Sequence, residues 1–329
     1  MTASTDPTDS ADPADSIDAE ETNATGPDVL TVTMNPALDH TVTIDEPLRE
    51  GAVARTDDAQ FDAGGKGINV SQYLTELGVD APATGFLGGP FGGMIGDALD
   101  EEGIARDFVE IGGRTRMNTT VLSPGGEYKI NHNGPVVDDR EVDGLIRRVE
   151  ARDPERLVVA GSLPRGIDAD AVDRLAEAGP WETAVDMGGS FLQRLDAEYL
   201  VCKPNRDELA AATGRDVETV DDAVAAARDL RARGFRFVLA SLGPDGALVV
   251  SASDAYYAPA LPVDVVDTVG AGDALLSGFL AGLARDESVD IALKTAVAVA
   301  ARVVSVSGTR VPPFDDVYSD RERVDVTAI

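Results

Sequence analysis

Residues 156–188 read RLVVAGSLPRGIDADAVDRLAEAGPWETAVDMG. The two ends of this stretch, 156–163 and 183–188, are short apolar runs, and residues 171–179 between them place apolar side chains at helical spacing. An apolar strand, an amphipathic helix and a second apolar strand are typical of neighbouring parallel strands joined by a helix. This stretch therefore predicts a β-α-β unit.

The same alternation continues in both directions along the chain. Further apolar runs occupy 29–34, 199–204, 235–243 and 246–253, and further helical patterns occupy 207–214 and 221–234. Strands that are apolar on both faces need helices on both sides of their sheet. The sequence predicts an α/β fold, a three-layer sandwich around a mainly parallel central sheet.

Two segments break this alternation. Residues 40–63 and 114–133 alternate apolar with polar side chains, and the second contains the turn sequence SPGGE, so both predict exposed antiparallel strands. Together they would form a small antiparallel β-sheet over the edge of the main one. We interpret it as a lid, because ligands bind where connections leave an open α/β sheet and closure excludes water. Mere decoration of the fold is the alternative.

The net charge excludes several classes of function. The 329 residues contain 28 Lys and Arg against 59 Asp and Glu, which gives −31 at pH 7. Such a chain repels nucleic-acid phosphates and anionic membrane surfaces, so we expect neither as a partner. An acidic surface suits concentrated salt, where charge repulsion is screened, and we interpret the composition as that of a halophile's protein.

The first 28 residues differ from the rest. They carry eight acidic residues, no basic residue and no apolar run, so we expect 1–28 to be a disordered acidic tail and 29–329 to be the folded domain. A signal peptide and an 18-residue membrane span are not expected. The single Cys202 is expected to be a core thiol in a reducing compartment, which predicts a cytoplasmic protein.

The segment with the clearest chemical signal is 263–284, VDVVDTVGAGDALLSGFLAGLA. Gly270, Ala271 and Gly272 join an apolar run to a helix, and there the backbone can approach a ligand while free N–H groups attract an anion such as phosphate. Asp273 at the helix start is either an N-terminal cap or a catalytic base that takes a hydroxyl proton beside this anion hole. We favour the base.

Two motifs resemble the signatures of a known family. DTVGAGDALLSGFLAGL (267–283) and AGGKGINVSQYLTELG (63–78) are similar to the C-terminal and N-terminal signatures of the ribokinase-like, or PfkB-type, sugar kinases. The resemblance covers residues 29–315. It implies the ribokinase-like fold, ATP and Mg²⁺ as cofactors, and a base role for Asp273. A P-loop and the protein-kinase signatures do not occur in the sequence.

The N-terminal motif contains candidates for substrate binding. Gly64 and Gly65 permit close approach of a ligand, and Asn69 lies one turn into the helix that follows. Lys66 is a cation at a helix N-terminus, which is unfavourable by about 0.3–1 kcal/mol unless an anion lies there. We interpret that anion as a substrate phosphate.

Other substrate contacts rest on the resemblance. It places Asp39, near the end of the first strand, at the sugar hydroxyls, and Arg116 and Asn118 in the second lid segment at the substrate phosphate. Ser162 is placed near the reacting groups, and Arg55 is a further candidate for the phosphate. The glycine-rich run 85–96 is expected to be a loop near the substrate.

The resemblance also implies a nucleotide site. Its residues are Lys203, Asn205, Glu208, Ser241, Gly243 and Gly246. Asn205 and Glu208 offer hard oxygen donors three residues apart and are expected to hold Mg²⁺ through water. The alternative is that PNRDE is only a good helix start.

Four short motifs are most similar to the branch that contains 1-phosphofructokinase and tagatose-6-phosphate kinase: NPALD (35–39), GGKGINVS (64–71), TRMN (115–118) and GSLP (161–164). Two cations, Lys66 and Arg116, favour a phosphorylated acceptor. The expected reaction is transfer from ATP to the 6-hydroxyl of fructose 1-phosphate, giving fructose 1,6-bisphosphate.

Three alternatives for the acceptor stay open at this point, namely fructose 6-phosphate, tagatose 6-phosphate and free fructose. A non-catalytic sugar-binding regulator is a further alternative. His40 stands where close relatives often carry an apolar residue, which bears on substrate preference. A homodimer through the lid is an expected assembly, because the edges of a small sheet pair readily.

Overall fold

The computed structural model describes residues 1, 26–306 and 311–329. Residues 2–25, which make up most of the predicted acidic tail, lie outside the described residues. The strands, in chain order, are β1 (Val29–Thr33), β2 (Ala37–Thr43), β3 (Ala59–Gly64), β4 (Ala83–Leu87), β5 (Val109–Glu110), β6 (Arg116–Ser123), β7 (Gly126–Asn131), β8 (Arg156–Ala160), β9 (Glu182–Asp186), β10 (Tyr199–Cys202), β11 (Phe235–Ser241), β12 (Ala247–Val250), β13 (Ala255–Ala258) and β14 (Thr327–Ala328).

The larger sheet has the strand order β14-β13-β12-β11-β10-β9-β8-β1-β4-β5. The pairs from β11 across to β5 are parallel, and the three pairs from β11 to β14 are antiparallel. The predicted β-α-β unit is present, since β8 and β9 are neighbours with Val158 opposite Ala184. The mainly parallel central sheet is therefore confirmed.

The helices, in chain order, are α1 (Lys66–Glu76), α2 (Gly89–Glu101), α3 (Asp139–Arg152), α4 (Ala169–Glu177), α5 (Gly189–Leu192), α6 (Arg206–Thr213), α7 (Val220–Arg231), α8 (Ala271–Ala284), α9 (Val289–Val304) and α10 (Val317–Asp320). Short 3₁₀ turns lie at Gly243–Asp245 and Arg321–Arg323. Within the described ranges, the helices are all too short or too polar to cross a membrane.

Helices cover both faces of the central sheet, as the apolar runs predict. On one face Leu145 of α3 and Leu175 of α4 pack in a cluster with Leu157 of β8. On the other face Phe279 of α8 packs in a second cluster with Val158, the next residue of β8. The alternation of neighbouring strand residues between two cores gives the three layers. Cys202 is fully buried in the first cluster, as expected.

The second, small sheet has the strand order β3-β2-β6-β7. Each predicted lid segment forms an antiparallel pair, β2 with β3 and β6 with β7, and a parallel pairing of β2 with β6 joins the two pairs. Leu38 and Ala63 anchor the sheet by packing against Ile95 and Leu99 of α2. The opposite face of β2 and β6 carries Asp39 opposite Asn118.

The structure corrects the prediction for the glycine-rich run 85–96. Its first residues end β4, and from Gly89 onward the chain is helix α2, so the predicted loop near the substrate is wrong. Glycine is a poor helix former, but burial of Ile95 and Leu99 against the small sheet outweighs that local preference.

Candidate active site

Helix α8 begins directly after Gly270, whose φ of 78° lies in the left-handed region. A Cβ added at Gly270 would lie 2.5 Å from Tyr73 Oη, so both the backbone angle and the space require glycine. The first N–H groups of a helix have no partner within it, and the helix dipole adds positive potential. The chain around Gly270 to Gly272 thus presents an anion site.

Asp273 is the third residue of α8, and only 6% of it is exposed. Asn69 Nδ2 donates a hydrogen bond of 2.7 Å to Asp273 Oδ2. Burial and, after it, the charge of Asp186 together raise the pKa of Asp273 to about 6, against the opposing effects of Lys66, Asn69 and Lys203. A carboxylate with this pKa is ionised at neutral pH and still basic enough to take a proton.

A buried carboxylate that the sequence analysis did not select lies beside this site. Asp186, the last residue of β9, has no exposed surface. Its Oδ1 is 2.8 Å from Lys66 Nζ and its Oδ2 is 3.3 Å from Lys203 Nζ. The signal for it was an acid at the carboxyl end of an apolar strand, in TAVDMG, because the ends of parallel strands meet at one edge of the sheet.

This contact bears on the interpretation of Lys66, whose role at a substrate phosphate stays a prediction. The cation at the start of α1 does have an anion beside it, but that anion is Asp186 of the same chain. A substrate phosphate is not needed to explain a lysine at this position.

A second group of polar side chains lines up along β2 and β6. Asn118 Nδ2 donates to Asp39 Oδ1 at 2.9 Å, and Arg116 Nη2 lies 3.5 Å from Ser162 Oγ. Asn35 Nδ2 also donates to Ser162 Oγ, at 3.1 Å. Burial raises the pKa of Asp39, while Asn118 and Arg116 oppose the rise. Asp39 lies within β2, so its predicted place near the end of the first strand is wrong.

These two groups face a polar cavity of about 560 Å³. Its lining contains most of the predicted substrate and catalytic residues. They are Gly65, Lys66, Asn69, Arg116, Asn118, Ser162, Gly270, Gly272 and Asp273. The lining is completed by Lys203, Asn205 and Ser241, which were predicted for the nucleotide, and by Thr33, Asn35, Ala37, Gly161 and Val269.

An apolar cavity of about 750 Å³ adjoins the polar one. Its walls include Gly243, Gly246 and Ala271 from the predicted sites, and apolar side chains such as Leu261 and Val297. The two cavities share Asn205, Ser241 and Gly272. One compartment suits a flat apolar group and the other a polyanion with hydroxyls, and Asp273 lies beside the wall between them.

A sequence model of the pfkB family of carbohydrate kinases matches residues 32–316. The chain belongs to the pfkB carbohydrate kinase family. It is 58% identical over 301 residues to a 1-phosphofructokinase of Haloferax volcanii, which covers 92% of this chain and 99% of that relative. Similarity to a Haloferax protein agrees with the halophilic interpretation of the composition.

Solved structures of the family share the fold. The phosphofructokinase-2 of Escherichia coli in complex with fructose-6-phosphate aligns with a TM-score of 0.81 at 27% identity, over 90% of this chain and 99% of that one. The tetrameric inhibited form of the same Escherichia coli enzyme aligns with a TM-score of 0.82, also at 27% identity and with the same coverage. The ribokinase-like fold and membership in a family of sugar phosphotransferases are therefore confirmed.

Four predicted residues of this pfkB chain lie outside both cavity linings, and one of them is Asp39, which contacts Asn118 of the polar lining. Gly64 is in contact with Asp39, since a Cβ added there would overlap the carboxylate, so it makes room for Asp39. Arg55 lies on the exposed segment between β2 and β3. Glu208 lies at the start of α6.

Asn205 and Glu208 form a reciprocal cap of α6. Glu208 N donates to Asn205 Oδ1 at 2.8 Å, and Asn205 N donates to Glu208 Oε2 at 2.9 Å. This is the helix-start alternative of the sequence analysis, and it uses an oxygen of each side chain. Across the described ranges, His, Cys, Asp and Glu side chains form no group of three suited to holding a metal directly.

Proposed function

We propose that this chain transfers the γ-phosphoryl group of ATP to the 6-hydroxyl of fructose 1-phosphate, giving fructose 1,6-bisphosphate and ADP. The observation that carries this proposal is the position of Asp273, a buried carboxylate at the N-terminus of α8 beside the shared wall of a polar and an apolar cavity. Its family membership implies ATP as the donor.

The two cavities divide donor from acceptor. The apolar cavity takes the adenine ring, because its walls are mostly aliphatic, and the shared wall at Asn205, Ser241 and Gly272 takes the phosphates. The polar cavity takes the sugar phosphate. In this proposal Arg116 and Asn118 on β6 bind the C1 phosphate, and Asp39 beside Asn118 accepts hydrogen bonds from sugar hydroxyls.

The reaction needs one proton transfer and one phosphoryl transfer. Asp273 takes the proton of the 6-hydroxyl. The hydroxyl oxygen attacks the γ-phosphorus, and the bond between that phosphorus and the leaving oxygen of ADP breaks. The backbone N–H groups of Ala271 and Gly272 stabilise the charge on the transferring group. Lys66 and Lys203 add positive charge on either side of Asp186.

The ATP site would also hold Mg²⁺. When bound, it neutralises charge on the triphosphate oxygens. The reciprocal cap leaves Asn205 and Glu208 suited to contacts through water, in keeping with the preference of Mg²⁺ for retaining several waters. These two residues would hold the hydrated ion.

The acceptor is tested by comparing kcat/KM for four sugars with ATP: fructose 1-phosphate, fructose 6-phosphate, tagatose 6-phosphate and free fructose. We expect fructose 1-phosphate to be preferred, in line with the Haloferax volcanii 1-phosphofructokinase. Fructose 6-phosphate is the second candidate, because the related Escherichia coli enzyme is solved with it. Preference for free fructose would refute the role of Arg116 as a phosphate ligand.

Replacing Asp273 by Asn tests the base. The amide keeps the shape and the contact with Asn69 but cannot take a proton, so we expect kcat to fall by about 10²–10⁴-fold with sugar binding retained. A near-normal rate in this variant would contradict the base assignment and favour a binding regulator.

We further propose that two copies associate through the small sheet. The face opposite Asp39 carries exposed apolar side chains on its two outer strands, Phe61 (50% exposed) on β3 and Tyr128 (43%) and Ile130 (58%) on β7. His40 of β2 stacks on Phe61 with ring centroids 4.5 Å apart. Exposed apolar side chains grouped on one face are typical of a protein interface.

A further inference from the structure

Asp186 is the most deeply buried charged group of the site, and the proposed reaction gives it no chemical step. Its carboxylate is fully buried at the end of β9 and contacts two ammonium groups from different elements. Lys66 comes from the first turn of α1, and Lys203 follows β10. A buried carboxylate persists only when its charge is compensated, and here two cations compensate one anion.

The two lysines reach different parts of the site. Lys203 is 3% exposed, and its Nζ lies 3.0 Å from where a Cβ on Gly272 would be, so it lies against the anion-binding turn. Lys66 is 38% exposed and lines the polar cavity together with Asn69 and Asp273. One carboxylate therefore holds one ammonium group at the anion-binding turn and another in the cavity.

We propose that Asp186 is a positioning residue of the kinase reaction, which holds Lys66 and Lys203 on either side of the transferring phosphoryl group and keeps them from pairing with Asp273. This inference rests on the proposed function. A lysine has a flexible four-carbon stem and a compact charge, so without Asp186 each ammonium group would pair with the nearest other anion. In the free protein, that anion would be the catalytic carboxylate.

The charge balance leads to the same conclusion. Asp186 and Asp273 carry two negative charges, and Lys66 and Lys203 carry two positive ones. Tyr73 of α1 also faces Asp273, but burial raises the pKa of its hydroxyl, so it stays neutral. Removing the charge of Asp186 leaves a net positive site, which would lower the pKa of Asp273, since the Asp186 charge contributes to raising it.

The test compares Asp186→Asn with Asp186→Glu. In the first variant we expect kcat to fall about 100-fold, the effect of a displacement of about 1 Å near the reacting atoms. KM for ATP should not rise, because the cavity has gained positive charge. The acid limb of the kcat/KM profile should move to lower pH. In the second variant the charge remains but is displaced, so kcat should fall while the acid limb stays near its wild-type position.

A purely structural role predicts a different outcome. Asp173→Asn is the matched control, because Asp173 also accepts buried hydrogen bonds, from Tyr199 Oη at 2.6 Å and Ala197 N at 3.0 Å, away from the cavity. It should lower the melting temperature without moving the acid limb. If Asp186→Asn behaves like this control, or keeps the wild-type kcat, the inference is wrong.

One measurement separates this inference from the proposed function. NMR titration of the Asp273 carboxyl carbon reports its pKa in the free protein, whether or not the protein turns over. We expect a lower pKa in Asp186→Asn than in the wild type and little change in Asp186→Glu. An unchanged pKa in Asp186→Asn overturns the inference. A wild type that phosphorylates none of the four sugars refutes the proposed function instead.

Discussion

The hydrogen bond from Asn69 to Asp273 sets how acidic a solution the reaction tolerates. Asn69→Leu keeps the approximate shape of the side chain and removes the donor, which stabilises the ionised carboxylate at 2.7 Å. A hydrogen bond to a charged group contributes about 1.5–3 kcal/mol, and about 1.4 kcal/mol corresponds to one pKa unit. The pKa of Asp273, raised to about 6 in the native protein, should therefore rise by about 1–2 further units.

The assay is kcat/KM with ATP and fructose 1-phosphate measured from pH 5 to pH 9. The protonated carboxyl cannot accept the hydroxyl proton, so the wild-type value should fall tenfold per pH unit below about pH 6. For the variant the fall should begin at about pH 7–8, which gives a loss of about 5- to 50-fold at pH 6 that narrows toward pH 9.

Asn118→Leu is the matched control, because it removes an asparagine of the same cavity lining that donates to a different carboxylate, Asp39. It should weaken sugar binding and leave the acid limb near pH 6. An equal loss at every pH in Asn69→Leu, or an acid limb that does not move, would refute the assignment of the limb to Asp273.

Two further predictions concern the anion site and the small sheet. Gly270→Ala should lower kcat about 100-fold, because the new methyl group would lie 2.5 Å from Tyr73 Oη and alanine is strained at a positive φ. Gly214→Ala is the control, because Gly214 has a similar φ but free space around it, and this substitution should only lower the melting temperature. Equal kcat values for the two variants would contradict the geometry. Ile130→Asp should yield a monomer in size-exclusion chromatography. Ile329→Asp is the control, because it makes the same substitution at another exposed isoleucine, and it should leave the dimer intact. A dimer in both variants would exclude the small-sheet interface.

The predictable part of the fold was local. Each apolar run, such as 156–160, predicts one strand, and each helical pattern, such as 171–177, predicts one helix. Their alternation implies a parallel sheet. Helix α2 was missed because its four glycines and proline argue against a helix, and only burial against the small sheet explains it. The parallel pairing of β2 with β6 depends on segments more than 70 residues apart, which local pattern does not report.

The predictable part of the site was the position of its glycines and of Asp273, whose role as a base stays a prediction. The motif around Asp273 carries its own signal, because glycine before a helix start is needed for an anion hole. The role of Lys66 was only half visible, since the sequence indicates an anion beside it but not which one. Asp186 could not be paired with two lysines before the order of the strands was known, because the contacts join residues 120 and 17 positions apart.

In the proposed reaction, the small sheet supplies the acceptor side of the cavity, and the central sheet and α8 supply the base and the donor side. Asp39, Arg116 and Asn118 all lie on β2 and β6, whereas Asp186, Lys203 and Asp273 belong to the larger layer. The two halves of the chemistry are thus physically separate modules. Exchanging β2 and β6 between members of the family should change which sugar is phosphorylated while the phosphoryl donor stays the same. Such exchanges would give evolution and protein engineers a route to new kinases.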